Sequence, residues 1–192
     1  VYYAAPEQIN GRRKDERTDI WQIGVILYEL VTGQLPFAGE SMVEIGMAIA
    51  TKAPKRPGAV RPDAEPLDAI ILKCLEKDPE ERYQSVADFQ KALATYLKMN
   101  YAGSLKESIR MNDPHRSAYY CGDLVLINMK IGDLAAAYKY AVDLARYSAG
   151  DVRTQVAELA EQIKLRVEIG ARELPDELIQ KAEVMVHQVR VQ

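Results

Sequence analysis

Few side chains in this sequence have both the type and the spacing to do chemistry alone. Its two histidines, His115 and His187, read as ordinary helix-face residues. Cys74 and Cys121 sit far apart in apolar helical patterns with no metal-ligand spacing around them. Both read as buried, reduced thiols. The charged residues say more. Glu7, in Ala5-Pro6-Glu7, places a carboxylate in the first turn of a short helix, where the dipole favours it and the missing N–H of Pro6 costs nothing. Asp19, or Thr18 beside it, can cap a longer helix by accepting a backbone N–H. Arg82 closes the charged stretch Asp78-Pro79-Glu80-Glu81-Arg82. Taken singly, each of these is by default a solvated surface charge. No residue is assigned a catalytic, cofactor-binding or metal-ligating role.

The elements that must position these groups are helical. The chain has 192 residues, 48% hydrophobic and 28% charged, enough for one ordinary domain or two small ones. A formal net charge of -3, with both signs spread over both halves, removes the basic face that nucleic-acid binding needs. The longest apolar run, residues 20–31, is interrupted by Gln22 and Glu29 and falls short of the roughly 20 residues of a membrane span. The chain starts at Val1 without a leader pattern, and the expectation is a cut start and a cytoplasmic protein.

A short helix begins at Pro6, and a second runs from Thr18 or Asp19 to about Thr32, closed by Gly33 and Pro36. This second helix is apolar nearly all round, which predicts a central, buried position. A helix over 42–50 precedes a loop of little regular structure punctuated by Pro54, Pro57, Pro62 and Pro66. Amphipathic helices follow over 67–75 and 86–97, the latter capped by Ser85. Gly103 and residues 112–114 suggest a linker or a short connecting helix, which puts a soft boundary near residue 100. Helices over 114–130, 134–147, 152–169 and 176–191 then predict a stack of helical hairpins.

Four motifs fall in one order. They are Tyr3-Ala4-Ala5-Pro6-Glu7, Asp19-Ile20-Trp21-Gln22-Ile23-Gly24, Glu29-Leu30-Val31-Thr32-Gly33-Gln34-Leu35-Pro36-Phe37, and Asp78-Pro79-Glu80-Glu81-Arg82. Together they resemble the C-terminal part of the eukaryotic-like (Hanks-type) serine/threonine protein kinase domain, over about residues 1–98. The resemblance implies an all-α chain: a kinase C-lobe fragment over 1–100, then a helical tail over 101–192. It implies structural roles for Ala5, Pro6, Glu7, Asp19, Trp21, Gly24 and Arg82, with Glu7 and Arg82 forming a buried ion pair. By the same resemblance Asp19 holds the backbone of a catalytic loop, and Trp21, Ile26 and Leu30 pack beneath that loop. Val1, Tyr2, Tyr3 and Glu29 would lie in the substrate loop, with packing and structural hydrogen bonding the favoured roles for Tyr3 and Glu29. Arg12, Arg13 and Lys14 read as a solvated loop.

The motifs that handle ATP and metal are not in this sequence: no glycine-rich loop, no catalytic-loop aspartate, no metal-binding aspartate before Phe-Gly. The resemblance therefore implies ATP and Mg²⁺ for a longer parent protein, none in this chain, and no catalysis by the chain alone. Partners would be protein substrates, or proteins bound by the tail. A central helix stripped of its cover would also drive self-association. In the tail, Leu124, Gly132-Asp133, Ala137 and Ala141 resemble one tetratricopeptide-like hairpin. Val125 and Asn128 depart from that pattern, and no second copy follows at its period of about 34 residues. The rival reading is a non-catalytic helical scaffold.

Overall fold

The computed structural model describes residues 1–191. Ten α-helices and two 3-10 turns account for the regular structure, with no strand among the described residues, as the expected all-α class requires. The helices are α1 Pro6–Ile9, α2 Glu16–Thr32, α3 Met42–Thr51, α4 Pro57–Val60, α5 Asp68–Cys74, α6 Val86–Arg110, α7 Pro114–Lys130, α8 Leu134–Tyr147, α9 Gly150–Glu168 and α10 Asp176–Val191. The chain divides into two compact units, Val1–Tyr96 and the residues from Leu97 onward.

In the leading unit α2 starts earlier than its sequence suggests. Asp15 is the cap, its Oδ1 accepting the Arg17 N–H at 2.9 Å, while Thr18 and Asp19 fall inside the helix. The Thr18 hydroxyl turns away from the helix start and donates to Glu7 Oε1. The helix stops where expected, at Gly33, whose φ of 72° is a left-handed conformation that suits glycine. One face of α2 is deeply buried: Ile20, Trp21 and Val25 are inaccessible, and Trp21 stacks on Phe37 with ring centroids 5.6 Å apart. Gly24 lets α5 approach, since a Cβ there would lie 2.5 Å from the Cβ of Cys74. The opposite face corrects the expectation of all-round burial. Ile26 is 53% exposed and Leu30 74%, because among the described residues nothing packs over them.

Two further expectations change. The proline-rich stretch is not irregular: Pro57 opens α4 and Pro62 opens a 3-10 turn, Pro62–Leu67, each using proline where the first turn needs no N–H. At Gly103 the chain is helical and no linker forms, because α6 runs through it to Arg110 in place of a short separate helix. A Cβ at that position would meet nothing within 4 Å, so this is an exposed helix glycine that costs about 1 kcal/mol relative to alanine without ending the helix. The break comes at Asn112, with φ 54°, and Asp113 then caps α7 by accepting the Arg116 N–H at 3.0 Å. Ser85 caps α6, accepting the Asp88 N–H at 3.1 Å.

The trailing unit is a stack in which α7 packs on α8, α8 on α9, and α10 against α7 and α9. Its single apolar core includes Leu124, Val125, Ala137, Ala141, Leu159 and Ile163. Asn128, where the tetratricopeptide pattern carries an aromatic, is fully buried; its amide donates to the Leu124 carbonyl at 2.6 Å and its Oδ1 has no partner among the described residues. The repeat stays a resemblance of sequence.

Candidate functional site

The chemistry-bearing residues of the leading unit converge on one buried guanidinium. Pro6 sets the first turn of α1 and leaves Glu7 in that turn with its carboxylate facing inward. Arg82 follows the 3-10 turn Pro79–Glu81, which Asp78 caps by accepting the Glu80 N–H at 3.0 Å. The two side chains meet in a parallel, bidentate pair: Nη1 donates to Glu7 Oε1 at 2.9 Å and Nη2 to Oε2 at 2.8 Å. Arg82 is 0% and Glu7 5% exposed at the side chain.

Such burial is tolerable only if every donor is satisfied, and here all five are. Beyond the carboxylate, Nε donates to Glu76 O at 2.8 Å, Nη1 to Arg17 O at 2.9 Å and Nη2 to Lys77 O at 3.3 Å. Glu7 Oε1 also accepts from the Thr18 hydroxyl at 2.8 Å. Burial alone would push the Glu7 carboxyl up. The hydrogen bonds from Arg82, its own backbone N–H and Thr18 outweigh that and hold it below its ordinary value. One guanidinium thus ties α1 and the start of α2 to the loop after α5, which lies far from both in sequence.

Around the pair lie residues that sequence reasoning missed. Lys77 donates to Ile49 O at 2.7 Å, and its ammonium lies 3.9 Å from the Phe37 ring centroid and 4.9 Å from that of Trp21. Burial, with the neighbouring Arg82 charge adding to it, pulls the Lys77 pKa down to about 8. The Arg82 Cζ sits 5.0 Å from the Trp21 centroid. Arg17 bridges Asp15 and Glu80, each at 2.8 Å. Further along, the buried Asp68 accepts from Arg56 Nε at 2.9 Å and from the Gly58 N–H at 2.7 Å. The basic residues in charged stretches carried no sequence signal that set Lys77 apart. Thr18 and Asp68 are polar positions on helices whose burial depends on tertiary packing.

The remaining predicted positions are scattered. Ala5 is fully buried and Gly24 lies against α5. Asp19 is exposed in the first turn of α2, and its carboxylate makes no hydrogen bond among the described residues. Val1, Tyr2 and Tyr3 are all partly exposed, and the Tyr3 hydroxyl donates to Glu29 Oε2 at 2.7 Å. That hydrogen bond raises the Tyr3 pKa above its ordinary value. What this arrangement can do is fix shape: it pairs and positions charges but sets no nucleophile against a base.

Comparison with known proteins agrees with the motifs. The family model for the protein kinase domain matches residues 1–96. Pkn1 of Myxococcus xanthus, a serine/threonine-protein kinase, is 43% identical over 96 residues, 50% of this chain and 14% of that protein. PknB of Mycolicibacterium smegmatis, also a serine/threonine-protein kinase, is 39% identical over 89 residues, 46% of this chain and 14% of its own length. MasK of Myxococcus xanthus, a tyrosine-protein kinase, is 41% identical over 103 residues, 53% of this chain and 16% of that protein. The chain therefore spans only a small part of the curated relatives it matches. With half its length covered by the family model, this chain belongs to the protein kinase domain family.

Proposed function

We propose that this chain is the helical lower part of a serine/threonine protein kinase that transfers the ATP γ-phosphate to protein hydroxyls, with the residues that handle ATP lying outside these 192 positions. The Glu7–Arg82 clasp carries this reading, because it joins the first and last of four ordered motifs into one buried, fully hydrogen-bonded unit. The names of Pkn1 and PknB support serine and threonine as acceptors, and that of MasK makes tyrosine the alternative to test.

ATP and Mg²⁺ are the groups this reading implies for the full-length protein. The residues present do not fit either one. Among the described residues no set of three or more histidine, cysteine or carboxylate side chains could hold a metal ion, and the sequence has no glycine-rich phosphate loop. The part of these residues is to hold the lower lobe in shape. Buried, free Cys74 and Cys121 support a reducing, cytoplasmic setting, and among the described residues no helix is long and apolar enough to cross a membrane. Protein substrates, and proteins bound by the tail, are the partners in this reading.

The test is radiolabel transfer from γ-labelled ATP to serine, threonine and tyrosine peptides. It compares the 192-residue chain with the product of the extended reading frame. The extended protein should label serine or threonine peptides and the chain alone should label none. Transfer by the isolated chain, or an extended frame with no catalytic-loop aspartate, overturns the proposal. Self-association through the exposed Ile26 and Leu30 face is part of the same reading, and a monodisperse monomer in size-exclusion chromatography counts against it.

A further inference from the structure

Beside the clasp the leading unit opens a cleft of about 390 Å³, with Asn10, Arg12, Arg13, Lys77 and Asp78 among its lining residues. Its charges do not balance locally. Arg12 and Arg13 are exposed, and their side chains make no ion pair or hydrogen bond among the described residues. Their loop is nevertheless anchored, because the Arg12 N–H donates to the Glu7 carbonyl at 2.8 Å. Lys77, half-buried, has three N–H donors; the contacts it makes are one carbonyl, Ile49 O at 2.7 Å, and two aromatic rings, with no carboxylate.

Two carboxylates also line the cleft, and both are engaged. Glu7 is taken up by the bidentate Arg82, and Asp78 accepts the Glu80 N–H as a cap. Among the lining residues Arg12, Arg13 and Lys77 thus face Glu7 and Asp78, an excess of one positive charge in a chain whose net charge is -3. Forked guanidiniums at the mouth and an ammonium deeper in are the donor set that suits a tetrahedral oxyanion. The partly desolvated floor strengthens the attraction relative to open water.

We propose that this cleft is a binding site for a phosphate group, either free phosphate or phosphate carried on a phosphorylated side chain, held by Arg12, Arg13 and Lys77. The site takes no part in phosphoryl transfer and does not rest on the kinase reading. Lys77 gives it a signature. An anion nearby offsets the burial that holds its pKa near 8, so binding draws in a proton above neutral pH.

The experiment is isothermal titration calorimetry of the 192-residue chain at low salt with three probes: sodium phosphate, a phosphoserine peptide and the same peptide unphosphorylated. Phosphate and phosphopeptide should bind saturably, and Arg12→Gln with Arg13→Gln should weaken both at least about tenfold. Both positions are exposed, so the double variant keeps the Trp21 fluorescence of the parent. Lys77→Met should abolish proton uptake on binding at mildly alkaline pH. A phosphopeptide that binds more tightly than phosphate places the anion on a protein chain, and equal affinities make it a free ion; both support the site. Failure of the parent chain to bind phosphate or phosphopeptide overturns it. So does an unphosphorylated peptide that binds equally well, or an Arg12, Arg13 variant with undiminished affinity.

Discussion

The two compact units of this chain are held together by different physics. In the leading unit the apolar core is split into two clusters, one around Trp21 and Ile49 and one around Ile20 and Phe89. Polar ties between segments distant in sequence link its parts: Arg82 with Glu7, Lys77 with Ile49 O, Arg17 with Glu80, Arg56 with Asp68. The trailing unit has one continuous apolar core supplied by consecutive helices, and several of its ion pairs are local and exposed, such as Arg110 with Glu107 and Lys164 with Glu161. Exposed pairs of that kind contribute about 0–1 kcal/mol. A fold closed by directional polar contacts demands particular residues at particular places. One closed by apolar helix packing accepts many sequences of suitable volume.

The largest expected effect breaks the polar side of this contrast. Arg82→Met strands the Glu7 carboxylate in the core and should lower the stability of the leading unit by about 3–5 kcal/mol. Trp21 is the only tryptophan and lies in that unit, so urea unfolding followed by its fluorescence reads the loss directly. A loss below about 1 kcal/mol would mean the pair is incidental. On the apolar side, Leu159→Ala removes a fully buried side chain and should cost about 2–5 kcal/mol, seen as an earlier midpoint in far-UV circular dichroism. Smaller again is Asp15→Ala, which deletes the cap of α2 and should cost about 1 kcal/mol by the Trp21 signal.

Acid sharpens the comparison further. The carboxyl of Glu7 is held below its ordinary value of 4.5, so its stabilisation is present above that value and is lost as pH falls through the folded pKa. Asp123, in the trailing unit, behaves oppositely. Burial raises its pKa above the ordinary 3.8, with Arg190 offsetting this only in part, so its contribution is present below 3.8 and lost as pH rises through the folded pKa. On acidification from about pH 5 the Trp21 signal should therefore change together with the share of helical ellipticity that α1 to α5 supply, the rest being lost only at lower pH. A single coincident transition would contradict the difference between the units.

What could be read in the sequence follows the same division. Glu7, Trp21, Gly24 and Arg82 stood out through the resemblance of four ordered motifs to the kinase domain, and the ends of α7 and α8 followed from turn chemistry. The start of α2 was misplaced because Asp15, Thr18 and Asp19 are all competent caps. The fold takes Asp15 as the cap and turns the Thr18 hydroxyl to Glu7. Ile26 and Leu30 read as core because periodicity reports how apolar a face is and not what covers it. Lys77 was invisible for the converse reason, since its burial comes from the rings of Trp21 and Phe37, one of them 56 positions away along the chain and both remote in sequence. Gly103 looked like a break, yet one exposed glycine costs a helix as long as α6 too little to end it.

The most direct test is a double-mutant cycle on the clasp, with Glu7→Gln, Arg82→Met and both together, unfolded in urea and followed by Trp21 fluorescence. The account predicts that the second substitution adds little once the first is made, leaving a coupling of about 2–3 kcal/mol between the two side chains. Effects that sum to within about 0.5 kcal/mol would show two independent surface charges and no clasp.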